Sequence, residues 1–580
     1  MKLKNIYLIA LAVVGCAVTA CEDELDVVNT NQQTSGSFGY TASELEEAVI
    51  ACYNHTRMEG SYARVGYNID VCRGDEAWNA SQIWYLPFDD LNVPSTDEIT
   101  MWSWREWYYT INVTNFILSR TTGELTEQMA RIKGQALFIR GLAYYNLATY
   151  YQNPPLITDY SAYSTLEGLY AKNNTQDEVF DQIELDFSEA MTLLPSRNEG
   201  GEWATGRATC GAAAGYYARA LMFRHKFQEA LTVLEDIIAG KYGSYKLMEN
   251  FGDNFREGIA YENNDESLFE IQYLDYGQQG TDDEWTPANT SPNATQGHAI
   301  ESNFCPGDMG GWADIAATPW LYNLFKAERT VNGSLDPRLY WTIGTYEPEW
   351  EGFENGNVAY SKPITATDTI YTNTLNGGLP IAKHTNLRTN LYETVTVGLR
   401  CGINLRMMRY SDVLLRAAEC ENEVNGVTDK AIGYINQVRE RADLKPLSTS
   451  DFASADELFE QIANVERPKE FGCENGRGID LIRWGWFYDS GRMAQLKDHG
   501  SFDLGGVGKG VDHKKPVTAE TADKSSFSAF VGGHEYLPIF QTTLNNNPNL
   551  EGNSANKSTD NSEAFRSKGY KVRPVVDLSK

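Results

Sequence analysis

Several tryptophans lie in segments that are otherwise rich in Asp, Asn, Gly and Glu, such as GDEAWN at 74–79 and GGWAD at 310–314. A sugar has an apolar C–H face and a rim of hydroxyl groups, so its binding site needs flat aromatic rings beside carboxylates, amides or arginines. These segments contain both, which predicts carbohydrate binding. The tryptophans in such surroundings are Trp78, Trp84, Trp285, Trp312 and Trp350. The candidate ligand contacts are Trp78, Trp84, Trp285 and Trp312; for each, the alternative is a loop anchor packed on the body.

The remaining reactive residues form no recognisable catalytic or metal-binding pattern. The seven histidines are scattered, and the chain has no HExxH, GxSxG or Walker A motif. A glycosidase needs two acids placed across the scissile bond, and runs such as Asp89-Asp90 or 282–284 do not differ from solvated turns. We expect a protein that is not an enzyme and has no cofactor. A structural calcium ion in the acidic loops is an alternative that no motif supports.

The charge of the chain bears on its partners. The 580 residues include 79 Asp and Glu against 49 Lys and Arg, a formal net charge of −30. Phosphate backbones would be repelled over most of such a surface, so we do not expect nucleic acid binding. With 42% hydrophobic and 22% charged residues, the chain is typical of a soluble globular protein.

The first twenty residues have the pattern of an export signal. Lys2 and Lys4 precede an apolar run at 6–14 that is too short for a stable membrane span. Cys16 and Cys21 each follow a segment similar to the lipobox of bacterial lipoproteins, and the acidic run after Cys21 favours it as the lipidated residue. We therefore predict a signal peptide at 1–20 and a lipid anchor on Cys21. The alternative is an ordinary signal peptide with soluble export.

The other mature cysteines form an odd set without a CxxC pair, which favours small buried thiols over a disulfide framework or a zinc site. They are Cys52, Cys72, Cys210, Cys305, Cys401, Cys420 and Cys473.

Helical periodicity dominates two parts of the chain, at about 40–250 and 405–490. Apolar residues recur at steps of three and four in 104–118 and 129–151, which predicts an antiparallel helix pair. The segment 208–223 is rich in Gly and Ala and is followed, after His225-Lys226, by a second amphipathic helix. Segments 410–424 and 429–442 repeat this layout. The pairs have about the tetratricopeptide length of roughly 34 residues.

Two further regions, about 263–405 and 489–535, are rich in Gly, Asn, Thr and Asp and lack a sustained period. We expect long ligand-binding loops with a few short strands there. The predicted fold is mainly α: one body at 21–580 made of tetratricopeptide-like helical pairs and functional loops.

A series of short motifs, in order along the mature chain, resembles the SusD/RagB-like lipoprotein family of Bacteroidetes. Besides the acidic start at 21–26, the series includes RGLAYY at 140–145, GRAT at 206–209, DPRL at 336–339, DLIRWG at 480–485, LPI at 537–539 and NPNL at 547–550. The chain departs from the family pattern at Glu474-Asn475, where members usually have Glu-Gly, and Pro468 is expected to distort its helix.

The resemblance implies a surface-exposed outer-membrane lipoprotein that captures oligosaccharides. It also implies a partner, a SusC-like TonB-dependent transporter, to which the ligand is delivered. A peptide-capturing member of the same family is the main alternative, and a helical-barrel glycoside hydrolase is a more remote one.

Overall fold

The computed structural model describes residues 41–79, 84–274, 297–306, 309–354, 356–359, 362–363, 379–389, 401–502 and 524–578. Cys21 and Trp285 lie outside these ranges. Most described elements are helices and the strands are short, which confirms the predicted mainly α fold.

The helices begin and end mostly at capping residues, turns or prolines. The first half of the chain contains α1 (Ala42–His55), a π-helix (Glu59–Ala63), α2 (Val65–Cys72), α3 (Leu86–Asp89), α4 (Glu98–Arg120), α5 (Glu127–Tyr151), α6 (Leu166–Leu169), α7 (Gln176–Leu193), α8 (Cys210–Phe223) and α9 (Phe227–Ile238). The second half contains α10 (Ile300–Phe304), α11 (Pro319–Lys326), α12 (Pro337–Thr342), α13 (Tyr410–Asn425), α14 (Asp429–Arg441), α15 (Ala455–Gln461), a second π-helix (Ile462–Glu466), α16 (Arg467–Phe471), α17 (Arg477–Arg483), α18 (Ser490–His499), α19 (Gln541–Asn546), α20 (Ser554–Lys557) and α21 (Ser562–Ser567).

The strands form small antiparallel sheets. They are β1 (Ala77–Asn79), β2 (Ser267–Ile271), β3 (Ile315–Ala317), β4 (Val358–Ala359), β5 (Lys362–Pro363), β6 (Leu379–Pro380), β7 (Leu405–Arg409), β8 (Ser501–Phe502) and β9 (Lys524–Ser525). The sheet order β1-β3-β6 is the only three-stranded arrangement within the described ranges, and β2-β7, β4-β5 and β8-β9 are two-stranded.

The helical body is a series in which each helix packs against the next. Helix α4 contacts α5, α5 contacts α7, and α7 contacts α8. The series continues from α8 to α9, from α9 to α13 and from α13 to α14. The side chains of Arg140 on α5 and Asp186 on α7 form a buried ion pair at 2.6 Å that fixes one of these contacts. The predicted helices at 104–118, 129–151, 208–223, 410–424 and 429–442 are confirmed with small differences at their ends. The periodic apolar residues of these helices are packed on their neighbours, and α5, α8 and α13 are enclosed on nearly all sides.

The small residues of α8 allow close packing on both sides. A Cβ on Gly215 would lie 2.4 Å from the sulfur of Met408 on β7. His225 then adopts a left-handed conformation (φ 55°) between α8 and α9, where the sequence predicts the break.

The predicted loop regions contain more helix than expected. Helices α10, α11 and α12 lie within 263–405, and α18 occupies the start of 489–535. These helices have 5 to 10 residues, too few turns for a periodic signal to emerge from the sequence. The expectation of long loops with short strands did not include these helices.

The expected distortion near Pro468 is confirmed. The second π-helix separates α15 from α16, and Pro468 occupies the first turn of α16. Proline has no N–H to donate and its ring crowds the preceding turn, so a regular helix cannot continue through it.

All seven cysteines within the described ranges are buried, as predicted. None of the helices in the described part of the chain has both the length and the apolar character of a membrane-spanning segment. The described residues also contain no cluster of three or more His, Cys, Asp or Glu side chains able to hold a metal ion.

Candidate functional site

The candidate site is built around the first π-helix and the residue that follows it. Arg64 joins this π-helix to α2 with an unusual backbone conformation (φ −162°, ψ −79°). The turn is tightly packed, since a Cβ on Gly66 would lie 1.9 Å from the carbonyl oxygen of Ser61. π-helical turns are rare in proteins, and those that occur often lie at functional sites. Here the turn fixes the charged side chain of Arg64 beside the loop that carries Trp312.

Arg64 and Trp312 lie next to each other in the structure. The guanidinium carbon of Arg64 is 5.4 Å from the centroid of the Trp312 ring, within the range of a cation–π interaction. Arg64 is 5% exposed and forms an ion pair with Glu59, so its charge is compensated and its position is fixed. The Trp312 ring is half-buried. An aromatic ring held in this way has little conformational entropy to lose on ligand binding.

The loop that carries Trp312 folds back onto α10. The backbone N–H of Trp312 donates to the carbonyl oxygen of Ser302 at 2.6 Å, and Asp314 N–H donates to Asn303 at 2.8 Å. These bonds anchor both sides of the tryptophan to a helix, so the exposed part of the ring is presented by a rigid loop.

A buried amide connects this loop to the segment of Trp84. The side-chain amide of Asn68 on α2 donates to the Asn303 side-chain oxygen at 3.0 Å and to the Tyr85 hydroxyl at 3.3 Å. Asn68 is fully buried, while Trp84, directly before Tyr85, is 38% exposed. Segments far apart in sequence, carrying Trp84 and Trp312, are thus fixed to the same helix.

The other two predicted contacts do not join this group. Trp78 lies on β1, paired with Ala316 of β3, and only 1% of its surface is exposed. Its ring therefore has no face available to a ligand, and we omit Trp78 from the site. Trp285 lies outside the described residues, so its role stays a prediction.

Trp350 is also a loop anchor packed on the body of the protein. Its ring is 3% exposed and packs edge-on against Tyr340 at 5.1 Å, with the guanidinium of Arg388 4.9 Å away. An indole among acidic and glycine residues can therefore be an anchor as well as a platform, and the sequence does not distinguish the two.

The carboxyl groups behind the π-helix are buried and held in place. Glu106 of α4 is fully buried, and burial, together with the nearby charge of Glu59, raises its pKa well above the ordinary range. Ser61 donates its hydroxyl to Glu106 at 3.5 Å. A catalytic acid must reach the reacting bond, which a fully buried carboxyl cannot do. The buried carboxyl group of Glu106 therefore supports the π-helix from its buried side.

The charged motifs of the second half of the chain form a buried network that shares no residue with the Arg64–Trp312 pair. Arg409 donates to Glu266 at 2.6 Å, to Glu470 at 2.8 Å and to Glu474 at 2.8 Å. The three carboxylates hold the pKa of Arg409 well above its usual range, and the three glutamates are themselves almost fully buried. These residues join β7 to α16 and the following turn, so we assign them a structural role.

The site residues that sequence reasoning missed are Arg64, Asn68 and Tyr85. They occur in helices or at helix ends without any motif, and only the fold brings them to the tryptophan loops. The one available signal was indirect, since Tyr85 adjoins Trp84 in the sequence.

Two sequence profiles of known protein families match different parts of the chain. The sequence profile of the SusD family matches residues 265–555. A second profile, described as starch-binding associating with outer membrane, matches residues 25–222.

Similar sequences occur in bacteria. SusD-like protein P25 of Formosa agariphila is 24% identical over 535 residues, which cover 84% of this chain and 91% of that protein. The starch-binding protein SusD of Bacteroides thetaiotaomicron is 22% identical over 529 residues, covering 84% of this chain and 91% of its own length.

Solved structures share the fold. A SusD superfamily protein from Bacteroides vulgatus superposes with a TM-score of 0.68 at 24% identity, covering 89% of this chain and all of that one (100%). A laminarin-binding SusD-like protein gives a TM-score of 0.63 at 21% identity, covering 88% and 98% of the two chains. The chain described here belongs to the SusD family.

Proposed function

We propose that this protein is a non-catalytic surface lipoprotein that captures oligosaccharides and delivers them to a SusC-like TonB-dependent transporter. The observation that carries the binding proposal is the pair formed by Arg64 and Trp312, a half-buried indole beside a fixed guanidinium at 5.4 Å. Such a pair offers a ring face for stacking on a sugar, and the neighbouring guanidinium holds that ring in place.

Trp84 supplies a second exposed ring on a neighbouring segment. Rigid aromatic platforms at more than one point of a surface suit an extended chain of sugar units, because each ring stacks on a separate unit. The relatives support this ligand class, since one is named a starch-binding protein and one solved structure is a laminarin-binding protein.

Location and delivery rest on the N-terminal sequence and on the family. The lipobox-like segment before Cys21 and the acidic residues after it support a lipid anchor. The description of the second matching family profile supports association with the outer membrane. An anchored protein that only binds needs a transporter to move its ligand inward, which is the role we assign to the TonB-dependent partner.

Binding is tested by isothermal titration of the mature protein with starch, laminarin, other plant and host polysaccharides, and a peptide mixture. We expect saturable binding to at least one polysaccharide. Binding of peptides alone would instead support the peptide-capturing alternative.

Catalysis is tested by incubating the protein with each bound polysaccharide and measuring new reducing ends. We expect none above the background without protein. A steady release of reducing ends would overturn the non-catalytic proposal and favour a glycoside hydrolase.

Delivery is tested by isolating the protein from its own membrane in mild detergent. We expect a large outer-membrane barrel protein to co-purify with it in a fixed ratio. Recovery of the lipoprotein without any such partner would contradict the transporter proposal.

A further inference from the structure

A cavity of about 390 Å³ lies between the helical body and the C-terminal segment. Its walls come from the end of α5, the start of α7, the end of α8 and, across from them, α21 with Tyr570. It shares no lining residue with the Arg64–Trp312 site. Its volume lies within the range of roughly 300–1,000 Å³ typical of small-molecule sites.

Aromatic rings form much of the wall. Phe180 and Phe223 stack at 4.7 Å with nearly parallel planes. Phe565 packs against Tyr488 at 5.1 Å and edge-on against Tyr570 at 5.3 Å. Because the rings support one another, the cavity keeps its shape without a ligand.

The charged side chains of the lining are already paired. The ion pairs are Lys568 with Asp177 at 2.6 Å, Arg483 with Glu419 at 2.5 Å and Arg224 with Asp181 at 2.6 Å. The Arg483–Glu419 pair is almost fully buried, and breaking such a desolvated pair for a charged ligand would be costly, whereas the other two pairs are partly exposed. The cavity therefore suits a neutral ligand.

Neutral polar groups complete the lining. Asn153, Gln152, Gln176 and Asn561 contribute amides, and the Asn153 side-chain oxygen is buried without a hydrogen-bond partner among the described residues. Aromatic walls with amide acceptors and donors are the surroundings that a sugar ring requires.

We propose that this cavity is a second binding site, which takes one or two rings of a neutral saccharide. The choice of a sugar over other neutral polyhydroxyl compounds rests on the proposed function. The exposed rim at Ala564 and Lys568 provides the entrance, and the size of the cavity restricts it to short saccharides or chain ends.

The test uses glucose, galactose, maltose and laminaribiose as probes, with binding measured by saturation-transfer NMR and titration on the mature protein. Ala564→Trp places an indole at the exposed rim of the cavity. Ser567→Trp adds the same group to α21 at an exposed position that does not line the cavity. We expect Ala564→Trp to weaken binding of the best probe at least tenfold and Ser567→Trp to leave it unchanged.

Asn153→Ala provides an independent variant if Ala564→Trp fails to fold, as judged by circular dichroism. We expect it to weaken binding several-fold because one amide of the lining is lost. Ala564→Trp should leave polysaccharide binding at the Arg64–Trp312 site unchanged, so failure of one site is distinguishable from failure of the other. The proposal is overturned if no probe saturates the wild type, or if Ala564→Trp or Asn153→Ala, correctly folded, binds as the wild type does.

Discussion

Arg477 donates to both carboxylate oxygens of Asp75, at 2.6 and 2.9 Å, although 402 residues separate them in the chain. Both side chains are almost fully buried, and the charge of Arg477 helps to hold the pKa of Asp75 below its ordinary range, against the opposing effect of burial. The pair joins α17 to the segment that leads into β1. Since β1 pairs with β3, directly after the Trp312 loop, this contact supports the candidate site from behind.

Removing this arginine should destabilise the protein strongly. We expect Arg477→Met to lower the free energy of unfolding by about 3–5 kcal/mol, because Asp75 would remain buried without its main countercharge. Urea unfolding at neutral pH measures the change.

The matched control is Arg329→Met. Arg329 forms an ion pair with Glu349, whose side chain is 43% exposed. An exposed pair of this kind contributes only about 0–1 kcal/mol. Equal losses in the two variants would show that the buried pair has no special role.

Removing the indole of Trp312 should weaken polysaccharide binding without unfolding the protein. We expect Trp312→Ala to raise the Kd about tenfold, equivalent to ~1.4 kcal/mol, because the stacking platform is lost. The thermal midpoint should change little, since the ring is only half-buried. Titration with the best polysaccharide and a melting curve measure the two quantities.

Tyr109→Ala is the control for this prediction. Tyr109 is 42% exposed on α4 and belongs to neither proposed site. Its loss should leave the affinity unchanged, and an unchanged affinity in Trp312→Ala as well would remove that residue from the site.

The carboxyl group of Glu76 should make stability depend on pH. Burial raises its pKa to about 8, from an ordinary value near 4.5. Between these values the folded protein retains a proton that the unfolded chain releases, so the stability should fall as pH rises, by about 1.4 kcal/mol per pH unit for this group. The loss should be complete above pH ~8.

Glu76→Gln cannot release this proton, so its stability should fall less steeply from pH 5 to pH 8. Asp70 also has a raised pKa, about 6, and titrates in both proteins; the informative quantity is the difference in slope. The exposed Glu563→Gln variant should keep the wild-type slope. Parallel stability curves for wild type and Glu76→Gln would contradict the assignment.

Cys21 should carry the lipid anchor. In cells fed with labelled palmitate, we expect Cys21→Ala to lose the label and leave the membrane fraction, because no acyl chain would then hold it there. Cys16→Ala should keep both the label and the membrane location. Retention of the label by the Cys21 variant would move the anchor elsewhere.

The helical pairs could be predicted because their signal is local. In α5 and α13, apolar residues recur at steps of three and four, although both helices are buried on all sides over 134–151 and 410–422, and helix ends coincide with prolines or with a break such as His225. The short helices α10 and α18 could not be recognised in this way, because they have too few turns and are stabilised by contacts with distant segments.

The sequence by itself predicted an export signal, and it determined the repeated helices, the resemblance to the SusD family and the presence of tryptophans in polar segments. Only the tertiary structure decided which indoles are buried: Trp78 is buried on the edge strand β1, whereas Trp84 and Trp312 reach the surface. The same holds for Arg64 beside Trp312 and for the cavity at Asn153. Burial and pairing of this kind depend on contacts between segments hundreds of residues apart, which local residue spacing does not encode.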